Sequence, residues 1–187
     1  MSSQTLVGHS DCINSVVFSH DLNLLASASC DETVKLWKAS SGECRHTFFG
    51  HQDCVNDVLF LPGSKKLVSA SCDNTIKIWD MQSLECVQTL DSHKDCVTSV
   101  AFSPNLDQLA SASCDRTVRL WDMKSGQCVR ILHGHNDDVT SVSFLTGLNQ
   151  LVSTSCDGMM KIWDLGFGEH RMHTILEGQT GLANSAA

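Results

Sequence analysis

Along the first quarter of the chain, apolar and polar residues alternate in short bursts separated by turn-forming residues. Ile13-Asn14-Ser15-Val16-Val17-Phe18 has the period of two expected of a strand with one buried face. Ser19-His20-Asp21-Leu22-Asn23 has the residue types of a turn. The next segment, Leu24-Leu25-Ala26-Ser27-Ala28-Ser29, is apolar and small, and reads as a buried strand whose neighbours approach closely. Cys30-Asp31-Glu32 supplies a tight turn into Thr33-Val34-Lys35-Leu36-Trp37, a third strand rich in β-branched and aromatic residues. Ser40-Ser41-Gly42-Glu43 turns the chain again before a fourth, Cys44-Arg45-His46-Thr47-Phe48-Phe49, and Gln4-Thr5-Leu6-Val7 is a short strand candidate ahead of the unit. Helical spacing is absent over any useful window, and the separations between strands are too short for helical crossovers.

The whole unit then returns. The stretch from Ala28 to Trp37 recurs as Ala70 to Trp79, Ala112 to Trp121 and, loosened, Thr154 to Trp163, so that the four tryptophans of the chain stand 42 residues apart. Gly8-His9 recurs as Gly50-His51, Ser92-His93 and Gly134-His135. A constant period in this range marks a solenoid, a propeller or an array. The expectation is an all-β chain of four-stranded antiparallel units, four of them.

Composition narrows what such a chain does. With 42% hydrophobic and 18% charged residues the 187-residue chain is globular. A net charge of −8 and the lack of any Lys/Arg-rich run remove the basic footprint that nucleic-acid binding needs. The polar start and the absence of an apolar run near the ~20 residues a bilayer requires predict a soluble chain without a membrane partner, cytoplasmic or nuclear. In that reducing setting the ten cysteines are expected as free thiols. They follow the repeat: Cys12, Cys54 and Cys96 in one register, Cys30, Cys72, Cys114 and Cys156 in a second, Cys44, Cys86 and Cys128 in a third.

Four-stranded units at this period, with these His, Ser-x-x-x-Asp and Trp positions, resemble the blades of the WD-repeat (WD40-type) β-propeller family. The resemblance covers residues 4 to 178, with blades at about 9–49, 51–91, 93–133 and 135–178, and leaves 179–187 as a disordered tail. The mutual likeness of the units also resembles that of WD-repeat arrays attached to fungal NACHT-type signalling proteins. The family implies a hydrogen-bonded tetrad in each blade: His9, Ser27, Asp31 and Trp37; His51, Ser69, Asp73 and Trp79; His93, Ser111, Asp115 and Trp121; His135, Ser153, Asp157 and Trp163. Physical logic agrees, since a buried indole wants an acceptor for its N–H, a serine hydroxyl can accept while donating onward, and a carboxylate can orient an imidazole.

Ser, His and Asp together also suggest a hydrolase triad. Repetition argues against it, because an enzyme needs one site in one geometry, whereas here each copy has an architectural role. There is no Gly-x-Ser-x-Gly elbow, phosphate-cradling glycine loop or His-Glu-x-x-His pair, so no catalytic residue and no cofactor are expected. Cys30, Cys72, Cys114 and Cys156 precede each tetrad Asp, a position the family places near the central opening on the partner-binding face. Cys12, Cys54 and Cys96, with Asp138 in the fourth copy, begin each first strand on that face. A ring of thiols could bind a soft metal or oxidise. No Cys-x-x-Cys pair exists, and sulfurs held too far apart on neighbouring blades would leave repeat-copied packing residues instead.

Partner contacts are expected at positions that vary on the same face: Asn14, Asn56, Thr98 and Thr140 on the first strands, and Glu32, Asn74, Arg116 and Gly158 after the tetrad Asp, beside the four cysteines. Asp11, Asp53, Asp95 and Asp137 make either an acidic rim that steers basic partner segments or a set of solvated turns. Lys38 stands where the family prefers Asp, and Ser92 replaces the glycine before His93; neither touches a tetrad. The family usually closes seven or so blades, and four predict either part of a larger propeller or two chains pairing into an eight-blade ring. The function expected is a non-catalytic scaffold presenting propeller-face loops to protein partners, with a metal-binding or redox-responsive protein as the alternative.

Overall fold

A computed structural model of the chain describes residues 4–19, 23–103, 108–145, 147–166 and, as backbone, 172–177. The tail expected at 179–187 and the turn residues 20–22 and 104–107 lie outside the described residues. Two compact units, Met1–Asp91 and Ser92–Ala187, make up the chain.

In the first unit, strands form where the alternation predicted them. β1 (Ile13–Ser19), β2 (Leu24–Ser29), β3 (Val34–Lys38) and β4 (Cys44–Phe48) pair in chain order as one antiparallel sheet. β5 (Val55–Phe60), β6 (Lys66–Ser71), β7 (Ile76–Asp80) and β8 (Glu85–Leu90) form a second. The second unit repeats this with β9 (Val97–Phe102), β10 (Gln108–Ser113), β11 (Thr117–Asp122) and β12 (Cys128–His133), then β13 (Val139–Leu145), β14 (Gln150–Ser155), β15 (Met159–Asp164) and β16 (Met172–Glu177). Each sheet is an antiparallel meander, the blade of a β-propeller, and the chain holds four. Gln4–Val7 differs from expectation: it joins no ladder, Val7 is 83% exposed, and a strand without a paired edge has nothing to hold its backbone groups.

Small residues on the second strands let neighbouring sheets meet. In the first unit, Ala26, Ala28, Val34, Leu36 and Phe48 of one sheet pack on Val55, Val58, Leu67 and Trp79 of the next. The Phe48 and Trp79 rings lie 5.3 Å apart. The second unit copies this core with Ala110, Ala112, Val118, Leu120 and Leu132 against Val139, Val142, Leu151 and Trp163. The glycine before the tetrad histidine, present in three copies of four, has a steric reason at Gly50, whose φ is +147° and where an added β-carbon would stand 3.3 Å from the Trp79 ring.

Every first strand carries a β-bulge. Pairing skips one residue, which is Asn14 in β1, Asn56 in β5, Thr98 in β9 and Thr140 in β13. A bulge re-aims its extra side chain, so these four positions leave the in-and-out alternation of their strands.

Burial sets a testable contrast. Leu67→Ala, at a fully buried site, is expected to lower unfolding stability by about 2–5 kcal/mol in urea titrations. Val87→Ala, on a half-exposed outer strand, should change it by no more than about 0.5 kcal/mol.

Candidate functional site

All sixteen tetrad residues come together as four separate sets. In the first, the Trp37 indole N–H donates to Ser27 Oγ at 2.8 Å, Ser27 Oγ lies 2.7 Å from His9 Nε2, and His9 Nδ1 lies 2.8 Å from Asp31 Oδ2. The other three sets repeat these distances to within 0.1 Å. One proton arrangement satisfies every group: Trp N–H to Ser, Ser O–H to His Nε2, and His Nδ1–H to the carboxylate, which can only accept. Each imidazole is therefore neutral. In that state its Nε2 is already occupied by a hydroxyl whose oxygen holds the indole, and the His side chain is at most 2% exposed. The serine is structurally committed, not poised as a nucleophile.

The tetrad has a fifth member that sequence reasoning missed. Asp31 Oδ1 accepts both the backbone N–H and the hydroxyl of Thr33, the latter at 2.6 Å, while Oδ2 also accepts the Ser10 backbone N–H. Thr75 and Thr117 do the same for Asp73 and Asp115. In the fourth copy Met159 offers only its backbone N–H to Asp157. The signal was available as a Thr two residues after the Asp in three copies of four. Burial by itself would raise these carboxyls, yet the converging hydrogen bonds outweigh it. Asp31, Asp73, Asp115 and Asp157 are all held below the usual carboxylate range. Burial lowers His93 and His135 from the ordinary imidazole value, against the pull of their Asp partners.

The variable positions divide into two kinds. Two of the bulged residues reach sideways into the neighbouring sheet of their own unit: the Asn14 amide donates to Val55 O at 3.0 Å, and the Thr98 hydroxyl to Val139 O at 2.6 Å. Asn56 donates to Cys72 Sγ, and the Thr140 and Thr154 hydroxyls share a bond of 2.9 Å. By contrast, Glu32, Asn74 and Arg116 sit in turns with φ of +66°, +69° and +65°, where the fourth copy has Gly158 at +79°. The Glu32 and Arg116 side chains are exposed. Asp11, Asp53, Asp95 and Asp137 each accept the next residue's backbone N–H, which fits the turn-forming reading of these carboxylates.

The cysteines depart from expectation in the first unit. Cys30 and Cys54, one from each sheet, are joined as a disulfide, with the Asn14 amide 3.2 Å from both sulfurs. The two registers are not held apart: the small-residue packing that brings β2 against β5 also brings the ends of those strands together. Where the fourth copy has Asp138 in place of cysteine, Cys114 instead hydrogen-bonds the carboxylate. Burial, that bond and the nearby carboxylates push its thiol up to about 12. Cys12, Cys44, Cys86, Cys114, Cys128 and Cys156 are free thiols. Among the described residues no three His, Cys, Asp or Glu side chains converge as a metal site.

These features define a repeat scaffold of WD type, and comparison with known proteins agrees. The family described as WD domain, G-beta repeat matches residues 1–38, 42–80, 84–122 and 126–164, and the chain belongs to it. Each match after the first begins near the outer strand of one sheet and ends at the third strand of the next, so repeat and blade are offset by one strand. A 42-residue stretch is 50% identical to the Lissencephaly-1 homolog of Dictyostelium discoideum, covering 22% of this chain and 10% of that protein. Another 42 residues are 45% identical to the WD repeat-containing protein 89 homolog of the same organism, over 22% of this chain and 12% of that one. The small ribosomal subunit protein RACK1 of Schizosaccharomyces pombe is 38% identical over 48 residues, 26% of this chain and 15% of its own length. The matches thus span a small fraction of these relatives.

Two measurements check the locks. Thr75→Val removes one donor to a buried carboxylate and should cost about 1–3 kcal/mol, whereas Met159→Thr supplies the missing donor and should raise the unfolding midpoint. Stability should also fall with acid in two stages. His93 and His135 carry folded values below 6.5, so the unfolded state binds more protons at these two sites once pH drops under 6.5, and stability present above that pH is lost downward. The carboxyls act the same way below 3.8. Urea midpoints measured from pH 8 to 3 should be flat at first, decline below about 6.5 and steepen below about 4.

Proposed function

We propose that the chain is a non-catalytic protein-interaction scaffold whose contact surface is built on the turns after the tetrad aspartates. One observation carries this. Three of the four turns place Glu32, Asn74 or Arg116 in a left-handed conformation that glycine adopts freely, as Gly158 does in the fourth copy. A charged residue there costs on the order of 1 kcal/mol. The tetrads beside these turns are the same in every copy, while the turn side chain changes in each. Side chains kept at a backbone cost and varied between copies fit a surface that distinguishes partners. The net charge of −8 would steer basic partner segments toward it. Family membership supports the same reading, and no helix among the described residues is long and apolar enough to cross a membrane.

The Cys30–Cys54 bond favours a second reading, in which oxidation state tunes the rigidity of this face. Reduction would then loosen the junction between the first two sheets without touching a tetrad. The metal-binding form of that reading needs bound zinc or copper; less than about a tenth of an equivalent in purified, reduced protein would close it.

Exchange of the turn residues separates binding from folding. Glu32→Gly and Arg116→Gly should leave stability unchanged or raise it by about 0.5–1 kcal/mol, while altering the set of proteins recovered by affinity capture and mass spectrometry. An identical set from wild type and both variants would remove these turns from the contact surface.

A further inference from the structure

Each unit brings two sheets together, and the two junctions carry the same repeat positions with different chemistry. In the first, Cys30, just after β2, meets Cys54, just before β5, as a disulfide. In the second, Cys114 takes the place of Cys30, but Asp138 stands where Cys54 would be. Burial, a hydrogen bond to that carboxylate and its charge push the Cys114 thiol up to about 12, so almost no thiolate exists there at neutral pH. The bulged residue beside each pair differs as well. Asn14 directs its amide N–H groups to Cys30 Sγ and Cys54 Sγ, at 3.2 Å each, and to Val55 O at 3.0 Å. Its counterpart Thr98 donates its single O–H to Val139 O. An N–H aimed at sulfur favours the thiolate, and a carboxylate opposes it. Of the carboxylates next to the first pair, Asp31 is engaged in its lock and Asp53 accepts the Cys54 backbone N–H. Cys30 and Cys54 are half-buried, which leaves them open to a small oxidant.

We infer that Cys30 and Cys54 form a thiol-oxidation site that takes hydrogen peroxide, that the Asn14 amide activates it, and that Asp138 silences the corresponding site of the second unit. In the reduced form one thiolate of the pair, held by the Asn14 N–H, attacks an oxygen of the peroxide. The O–O bond breaks, the sulfur becomes a sulfenic acid and hydroxide leaves. The second thiolate attacks that sulfur, the S–S bond forms and the S–O bond breaks, which releases a second hydroxide. The hydroxides take up the two protons that the thiols lost, so two thiols and one peroxide give the disulfide and two waters. The bond seen in the structure is the product of this sequence. Cys30 stands two residues before Glu32, so oxidation ties the first contact turn to the second sheet and leaves the turn of Arg116 untouched. That consequence rests on the contact surface proposed above; the chemistry of the pair does not.

The test starts from the full chain, fully reduced, and equimolar hydrogen peroxide; remaining thiols are alkylated at set times and the products mapped by mass spectrometry. The Cys30–Cys54 peptide should appear ahead of any oxidation at Cys44, Cys86 or Cys114. Asn14→Thr introduces the residue of the third copy, which can bond Val55 O as Thr98 bonds Val139 O but offers sulfur no amide N–H. It should keep the urea midpoint of the reduced protein and slow the link about tenfold, the effect of raising a thiol by about one pKa unit. Asp138→Cys removes the opposing carboxylate and supplies the second sulfur, so peroxide should now link position 138 to Cys114, more slowly than it links Cys30 to Cys54. The proposal is overturned if Cys44, Cys86 or Cys114 is oxidised first, if Asn14→Thr leaves the rate unchanged, or if Asp138→Cys yields no link to Cys114. It is also overturned if diamide forms the Cys30–Cys54 link and peroxide does not, an outcome that leaves the effect of the bond on rigidity standing. Partner capture by the Glu32 and Arg116 variants is independent of all these readouts.

Discussion

A buried indole N–H must be given an acceptor, and in each of the four sheets that acceptor is a serine hydroxyl on the adjacent strand. The rest of the blade follows from this bond. The hydroxyl in turn donates to an imidazole, the imidazole N–H donates to a carboxylate, and the carboxylate also accepts a backbone N–H from the turn after the histidine and the N–H of the residue two positions beyond itself. Four stretches of chain far apart in sequence are thereby tied to one point. A network of this kind stabilises when every group is satisfied and is costly when one is missing. That explains why the same residue types recur at the same places while the residues beside them differ.

The constraint also divides the molecular surface. Small residues on the second strands, required so that a neighbouring sheet can approach the lock, bring strand ends of adjacent sheets into contact within each unit. The bulges of β1 and β9 turn a side chain sideways into that junction, which is why Asn14 and Thr98 serve as links between sheets. What remains free to vary is the turn after the aspartate, where the lock dictates the backbone and leaves the side chain in solvent. Charge and shape at that turn can change from copy to copy without cost to the lock.

Much of the fold was legible in the sequence. Alternation located the four strands of the first sheet within a few residues, the 42-residue period carried them to the other three, and the His, Ser, Asp and Trp positions identified every lock. The threonine that completes three of those locks was visible in the repeat but lay outside the residue types associated with the tetrad. The roles of the bulged residues were not legible, because a bulge breaks the alternation from which side-chain direction is read. Nor was the Cys30–Cys54 contact, since distance between sheets depends on side-chain volumes at positions far along the chain.

The sequence by itself determined the blade: local alternation and a repeated set of hydrogen-bonding residues suffice, because every bond of the lock forms within one unit of the repeat and its flanking turn. Only the tertiary structure decided what each copy of the same residue does. Val16 and Val58 occupy one position in nearly the same string, and one is open to solvent while the other is enclosed, because burial is conferred by the neighbouring sheet and the string carries no record of its neighbour.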